Sequence, residues 1–400
     1  MTSSEEKNIR KYFIGAHYNL NNGDRAVLEA TVQQILMKDK DADITVSVYE
    51  PKGYADPRFR TVCWPLKKNK IIHVFFRLIQ NKHFIKNFRK LHRILISKEY
   101  LRVISESDII LISGGHHITD ILGKETFYEL AINYLVPIFN NKKIILLPQS
   151  IGPIKSINEK LIAKYILDNV DEIAYRDETS KQCLDSLKVK SNYQYIPDIV
   201  FSLPTIKSDK QKSAKTLGIA IYCSYNKNRK KQLLSLVLNN LIEVIKLYSE
   251  NNWSIKFISM DSNDISVSEK IINKLKNEGY TNISLEKPNR DRIENVVELF
   301  GSMDVILAYK THSVIFSIIN SVPLVSIAYH PKSTEFMRSI GLEKYAIDDN
   351  NATKDNLLSL LSDIDKNYDE IVAKEKKGTK DSICKLNNFF ETNIIMKREA

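Results

Sequence analysis

At 400 residues the chain is longer than a single hydrophobic core usually fills, so two domains are expected. Hydrophobic residues make up 43% and charged residues 27%, a balance that excludes a disordered chain. The formal net charge is +11, and thirteen Lys and Arg against one acid, Glu99, between Arg58 and Arg102 account for all of it. This local patch is of the kind that meets nucleic acid, anionic lipid headgroups or an acidic substrate.

The most apolar stretch, Val314 to Ala328, is broken by Asn320, Ser321 and Pro323 and is too short to span a bilayer. The opening MTSSEEKNIRKYF carries acids and no apolar run, which argues against a secretory signal. Cys63, Cys183, Cys223 and Cys384 are scattered, with no CxxC and no metal-ligand spacing. A reduced, cytoplasmic setting without a bound metal is expected.

In chain order, Tyr12 to Ala16 reads as a short strand, and a turn-rich loop from His17 to Asp24 follows. A helix is expected from about Arg25 to Met37, with Asn22 to Asp24 supplying its cap and an acid for its N-terminus. Asp43 to Tyr49 alternates as a strand does. In the basic segment, Phe84, Phe88, Leu91 and Leu95 recur at helical spacing, with Lys82, Lys86, Arg89, Lys90 and Arg93 opposite. That spacing reads as an amphipathic helix, within an amphipathic segment from about Ile71 to Leu95. Its apolar stripe either packs into a core, with the basic back in water, or its cationic face lies on an anionic leaflet, the reading slightly preferred. Nucleic acid is the least expected partner, because no recognition motif accompanies the charge.

Buried strands then recur at Asp108 to Ser113, Lys143 to Leu147 and Glu172 to Tyr175, a pattern typical of a parallel sheet covered by helices. The polar stretch from Pro204 to Thr216 is the best linker. After it come strands at Leu217 to Tyr222, Ser254 to Ser259, Val305 to Ala308 and Leu324 to Ala328. Helices are expected at about 231–250, 267–277 and 313–320. Two Rossmann-like α/β domains, about 1–210 and 211–400, would face a cleft in the glycosyltransferase-B manner.

Ligands of parallel α/β sheets bind outside the C-terminal strand ends. That rule gathers Asn19, Asp24, Gly114, Gly115, Asp120, Gln149, Gly152, Arg176, Asp177, Lys310, His312 and Lys332. Adjacent His116 and His117 face different ways on a strand or helix, which weighs against a metal pair.

These strand ends resemble the polysaccharide pyruvyltransferase family. Gly15 to Leu28 is similar to its opening G–N–GD–A–L pattern, and Gly114-Gly115 with Asp120 to its GG-x-x-x-x-D element. Pro148 to Pro153 resembles its G-x-G-P loop. Arg176-Asp177 with Ser180 resembles its RD/E-x-x-S element, and Pro197-Asp198 with Val200-Phe201 its PD-x-VF element. Lys310-Thr311-His312 resembles an R-x-H segment that contacts the donor, and the run from Val322 to Lys332 resembles the family's G-x-P–AY-x-x-K run. The elements fall in family order from about residue 12 to 348.

The resemblance implies a transferase in surface-polysaccharide assembly. It would move the pyruvyl group of phosphoenolpyruvate to two hydroxyls of a sugar or lipid-linked oligosaccharide, with no cofactor. Such a reaction needs convergent cations for the donor, an acid beside its methylene and a base beside the attacking hydroxyl. On this reading Arg176, Lys310, Ser313 and Lys332 bind the donor, and His312 is the acid or a phosphate ligand. Asp24 is the base, and Asn19, Asp24, Gly114, Gly115, Asp120 and Gln149 form the acceptor side. Blander readings stand beside these: Asp24 as a helix cap, and Arg176-Asp177 as a surface ion pair. The family has Arg where this chain has Lys310, which keeps the charge but loses the bidentate fork. A sugar-nucleotide-dependent glycosyltransferase and a degenerate glycan-binding homologue are the alternatives.

Overall fold

The computed structural model describes residues 9–17, 21–49, 56–66, 69–205, 214–222, 231–288, 292–329 and 331–395. The first half runs β1 (Lys11–His17), α1 (Asn22–Lys38), β2 (Asp43–Val48), β3 (Arg60–Cys63), α2 (Lys70–Leu78), α3 (Phe84–Leu95), α4 (Lys98–Glu106), β4 (Ile109–Ile112), α5 (Lys124–Phe139), β5 (Lys143–Gln149), α6 (Ile157–Leu167), β6 (Glu172–Tyr175), α7 (Glu178–Leu187) and β7 (Asn192–Tyr195). The second runs β8 (Thr216–Ala220), α8 (Lys231–Glu250), β9 (Ser254–Ile258), α9 (Ser262–Asn277), β10 (Ile283–Glu286), α10 (Ile293–Gly301), β11 (Val305–Ala308), α11 (Thr311–Ile319), β12 (Leu324–Ala328), α12 (Pro331–Ser339), β13 (Ala346–Asp348), α13 (Lys354–Lys366) and α14 (Tyr368–Phe389).

Among the described residues the strands form two sheets, ordered β3-β2-β1-β4-β5-β6-β7 and β10-β9-β8-β11-β12-β13. Each neighbouring pair is parallel, for example Tyr12 against Ile109 and Leu217 against Val305. Central strands such as Ile109–Ile112 and Leu324–Ala328 are buried along their whole length, which explains their unbroken apolar sequence. In each sheet the strand order reverses direction once, at β1/β4 and at β8/β11, where doubly wound folds open a crevice for ligands.

Two compact units result. The first comprises Met1–Asn19, Val27–Ile199 and Cys384–Ala400, and the second Leu20–Ala26 and Val200–Ile383. This differs from a division at 210/211 in three places, each with a local cause. Asn22 donates from its backbone to Met260 O at 3.0 Å, joining the start of α1 to the second unit. Phe201 packs its ring 6.4 Å from that of Phe336. Near the C-terminus, Phe390 and Ile394 are buried and Lys143 Nζ reaches Asn393 O at 3.1 Å, within the first unit. Most of the expected linker lies outside the described residues.

The stretch 71–95 forms two helices, α2 and α3. Asn81 ends the first by accepting the His83 N–H on its side chain at 2.8 Å, a local turn that competes with helix. On α3 the expected stripe is core: Phe84, Phe88 and Leu95 are buried, Leu91 packs half-buried against the same core, and Phe84 meets Tyr128 edge-on at 4.6 Å. Its basic side faces water, so α3 follows the core-packing reading. α2 does the reverse and turns most of its apolar residues to solvent.

Candidate active site

In the first unit the ends of β4, β5 and β6 are tied together by Arg176. Its Nε donates to Ser150 Oγ at 3.1 Å, its Nη2 to Gly115 O at 3.2 Å, and its Nη1 pairs with Asp198. Arg176 is 5% exposed and Asp198 fully buried. Ser150 Oγ also donates to Asp177, which caps α7 by accepting the Ser180 N–H at 2.8 Å. Ser180 Oγ in turn accepts the Ile151 N–H at 2.7 Å. A surface Arg176-Asp177 ion pair is therefore not what forms. Both residues are buried, and the guanidinium pairs with Asp198 of the Pro-Asp element.

The other first-unit candidates line the same strand ends. A Cβ on Gly114 would stand 2.7 Å from Pro148 O, so only glycine lets the β4 and β5 ends meet this closely. Asp120 Oδ2 accepts the backbone N–H groups of Lys155 and Ser156 at 2.6 and 2.9 Å, which fixes the loop into α6. Gln149 is buried; its Oε1 accepts from Tyr134 Oη at 3.2 Å, and its Nε2 has no hydrogen-bond partner. His116 and His117 diverge: the first bonds Gly152 O, the second approaches Tyr134 Oη. Gly152 packs on Cys183, whose Sγ lies 2.6 Å from where a Cβ would be. Asn19 lies outside the described residues.

In the second unit the chemistry gathers beyond β8, β9, β11 and β12. Asn22 Nδ2 donates to Ser259 O at 3.2 Å, beside its backbone bond to Met260, and its Oδ1 is without a partner. This seats Gly23 against His312: a Cβ on Gly23 would fall 2.3 Å from His312 Nδ1. Asp24 exchanges bonds with Asn21. The Asp24 N–H donates to Asn21 Oδ1 at 3.0 Å, and Asn21 Nδ2 donates to Asp24 Oδ2 at 3.0 Å. These bonds make it part of the α1 cap.

Lys310 precedes α11 and points its ammonium at two carboxylates, Asp261 and, at 2.7 Å, Asp264. Both carboxylates begin α9 as a reciprocal capping box. Burial pushes the Asp264 carboxyl above its usual range, although Lys310 pulls the other way. Burial also acts upward on Asp261, but Lys310 and two backbone N–H groups outweigh it and hold that carboxyl below its ordinary value. Ser313 is buried and turns its hydroxyl to Lys310 O, shaping the turn into the helix.

No side chain caps α11 at Lys310, so the helix start keeps its attraction for anions. The start of α12 lies beside it. Thr311 Oγ1 is 3.4 Å from Ser333 Oγ and 3.4 Å from Tyr329 Oη. Lys332 belongs to the same turn and is 9% exposed. Tyr222 stacks on Tyr329 with centroids 3.9 Å apart, and Tyr309 meets both edge-on. Two helix starts, three hydroxyls, a histidine and a lysine thus meet at the end of one parallel sheet. A cavity of about 740 Å³ elsewhere in this unit lies at the opposite strand ends, near Lys215, Trp253 and Asp304, and no candidate residue lines it.

Sequence reasoning missed Asn22, Ser333 and the tyrosine stack as site residues. The signal for Tyr222, Tyr309 and Tyr329 was their shared position just beyond three strands.

The polysaccharide pyruvyl transferase model matches residues 21–331. The chain belongs to that family. It is accordingly a transferase of polysaccharide pyruvylation, and a polysaccharide acceptor comes with the family. The match includes His312, Lys310, Arg176 and Asp24, and stops one residue before Lys332.

Solved structures agree on architecture. A UDP-N-acetylglucosamine 2-epimerase is 10% identical with a TM-score of 0.59, covering 98% of each chain. A putative enzyme of the same name from Listeria monocytogenes is 9% identical with a TM-score of 0.57, covering 98% of this chain and 99% of its own. The spinosyn rhamnosyltransferase SpnG is 10% identical with a TM-score of 0.54, covering 96% and 99%. At these identities the likeness is one of fold, the glycosyltransferase-B type of paired parallel sheets.

Proposed function

We propose that this family member takes phosphoenolpyruvate as donor and builds a cyclic ketal on two hydroxyls of one acceptor sugar, releasing phosphate. The supporting observation is the meeting of the α11 and α12 starts, with Thr311 and Ser333 3.4 Å apart. Helix N-termini, hydroxyl donors and Lys332 suit a phosphate. His312, one residue into α11 and held by Gly23, is the group that protonates the donor methylene. The first sugar hydroxyl then bonds the resulting cationic carbon, phosphate leaves with the C–O bond pair, and the second hydroxyl closes the ring. Of the two hydroxyl protons, one balances that gained by the methylene and the other leaves with phosphate or solvent.

Asp24 is the base for the attacking hydroxyl, from its place in the α1 cap. Lys310 and Ser313 shape the donor turn, since their polar atoms have partners within the unit. Arg176 orders the first unit's strand ends, where Gly114, Gly115, Asp120 and Gln149 are the acceptor-binding candidates. No cofactor enters this scheme. The acceptor is a sugar or lipid-linked oligosaccharide presented at the cytoplasmic face of a membrane, where the enzyme works as a peripheral protein.

Thermal stabilisation tests the donor without knowledge of the acceptor. At a hundredfold excess over its dissociation constant, phosphoenolpyruvate should raise Tm by roughly 5 °C, and His312→Ala should abolish the shift. A shift with UDP-sugars alone would replace this reading with that of a glycosyltransferase.

A further inference from the structure

α2 carries its apolar residues on the wrong side for a core. Phe76 is buried and packs edge-on against Phe84 and Phe88, at 5.8 and 6.3 Å. Ile71, Val74, Phe75 and Leu78 are instead 77%, 58%, 46% and 70% exposed. At about 100° per residue these four fall within an arc of roughly 100° opposite Phe76. Single exposed apolar residues need no explanation, but four on one face of a nine-residue helix do.

The neighbouring surface supplies the complementary chemistry. A hollow of about 480 Å³ at α3 is lined by Lys82, Lys86, Arg89 and Lys90, with Ile85 and Tyr165. Among the described residues no carboxylate pairs with any of those four cations, and each is exposed. Arg77, beside the apolar arc, does pair with Glu125 at 2.9 Å. Protein interfaces are depleted of lysine, whereas an apolar helix face rimmed by Lys and Arg suits anionic headgroups above acyl chains.

We infer that α2 lies in the surface of an anionic bilayer, with Ile71, Val74, Phe75 and Leu78 among the acyl chains. The α3 cations then hold lipid phosphates. This rests on the peripheral placement in the proposed function and sharpens it by assigning the inserted face to α2. Vesicle binding needs neither donor nor acceptor, so its failure and the failure of pyruvyl transfer are read separately.

The test is co-sedimentation of the full chain with phosphatidylglycerol–phosphatidylcholine vesicles and with phosphatidylcholine alone, at low and high salt. Binding should require the anionic lipid and weaken with salt. Lys86→Gln with Lys90→Gln should lower the partition coefficient about 25-fold, about fivefold per cation. Ile71→Glu with Leu78→Glu should lower it at least as far, with unchanged Tm because both side chains are exposed. Absence of wild-type binding at low salt, or undiminished binding by the double glutamate variant, would overturn the inference. So would a wild-type dimer in sedimentation velocity that this variant dissolves, which would assign the face to a second copy of the chain.

Discussion

Arg176 and Lys310 occupy corresponding places, each just beyond a buried parallel strand and each a candidate for the donor anion. The structure gives both of them carboxylates. Arg176 spreads a planar fork over Ser150, Gly115 and Asp198, from the connections after β5, β4 and β7. Lys310 concentrates a point charge on Asp261 and Asp264, both at the start of α9. The guanidinium therefore locks several loops at once, while the ammonium holds one helix start beside another. A cation at a strand end is not a ligand merely by its position, and in the proposed scheme anion binding falls instead to the helix starts around His312 and Lys332.

The largest effect should come from breaking the Arg176–Asp198 pair. Asp198→Ala leaves a buried guanidinium without its carboxylate and should cost about 3–5 kcal/mol in urea denaturation. If stability held within about 1 kcal/mol while phosphoenolpyruvate binding vanished, Arg176 would be a donor ligand and the contrast with Lys310 would collapse.

Lys310→Met should cost less, about 2 kcal/mol at pH 7, because the pair is only partly enclosed. The pH dependence distinguishes it. Asp261 is held below its ordinary value in the folded protein, so its contribution is present above the unfolded pKa and lost as pH falls through the folded one. Removing Lys310 should therefore carry its full penalty above about pH 4, and the difference from wild type should shrink only as pH falls below that. A penalty that does not change with pH would mean that the methionine disturbs packing alone.

Much of this was legible in the sequence. Unbroken apolar runs such as Ile109–Ile112 and Val305–Ala308 marked the strands, because a strand buried on both faces has no polar side to show. His312, Lys310 and Arg176 stood out as candidates because they follow such strands. Their partners were not, since Asp198 and Asp264 lie 22 and 46 positions away from Arg176 and Lys310 and no local period links them. For helix α2 the sequence left the buried side open. Amphipathic spacing gives the width of an apolar stripe but not the side on which the protein lies, and on α2 Phe76 and the half-buried Ile72 face inward.

In mild acid the smallest expected effect concerns a carboxyl that pairs with no cation among the described residues. Glu375 on α14 is completely buried, and neither of its side-chain oxygens has a hydrogen-bond partner. Burial pushes its pKa well above the ordinary value, so the folded protein holds a proton that the unfolded chain releases. The sign is opposite to that for Asp261: stability is fully present below the unfolded pKa and declines as pH rises towards the folded one. Methionine has a similar length and no polar atoms to strand. Glu375→Met should therefore stabilise the protein by about 1 kcal/mol in mild acid. The gain should grow by up to about 1.4 kcal/mol per pH unit until the folded pKa is reached. Urea midpoints taken from acid to weakly alkaline pH would show a widening gap between variant and wild type. A constant gap would mean that Glu375 ionises alike in both states, and burial without a partner would then leave its carboxyl unshifted.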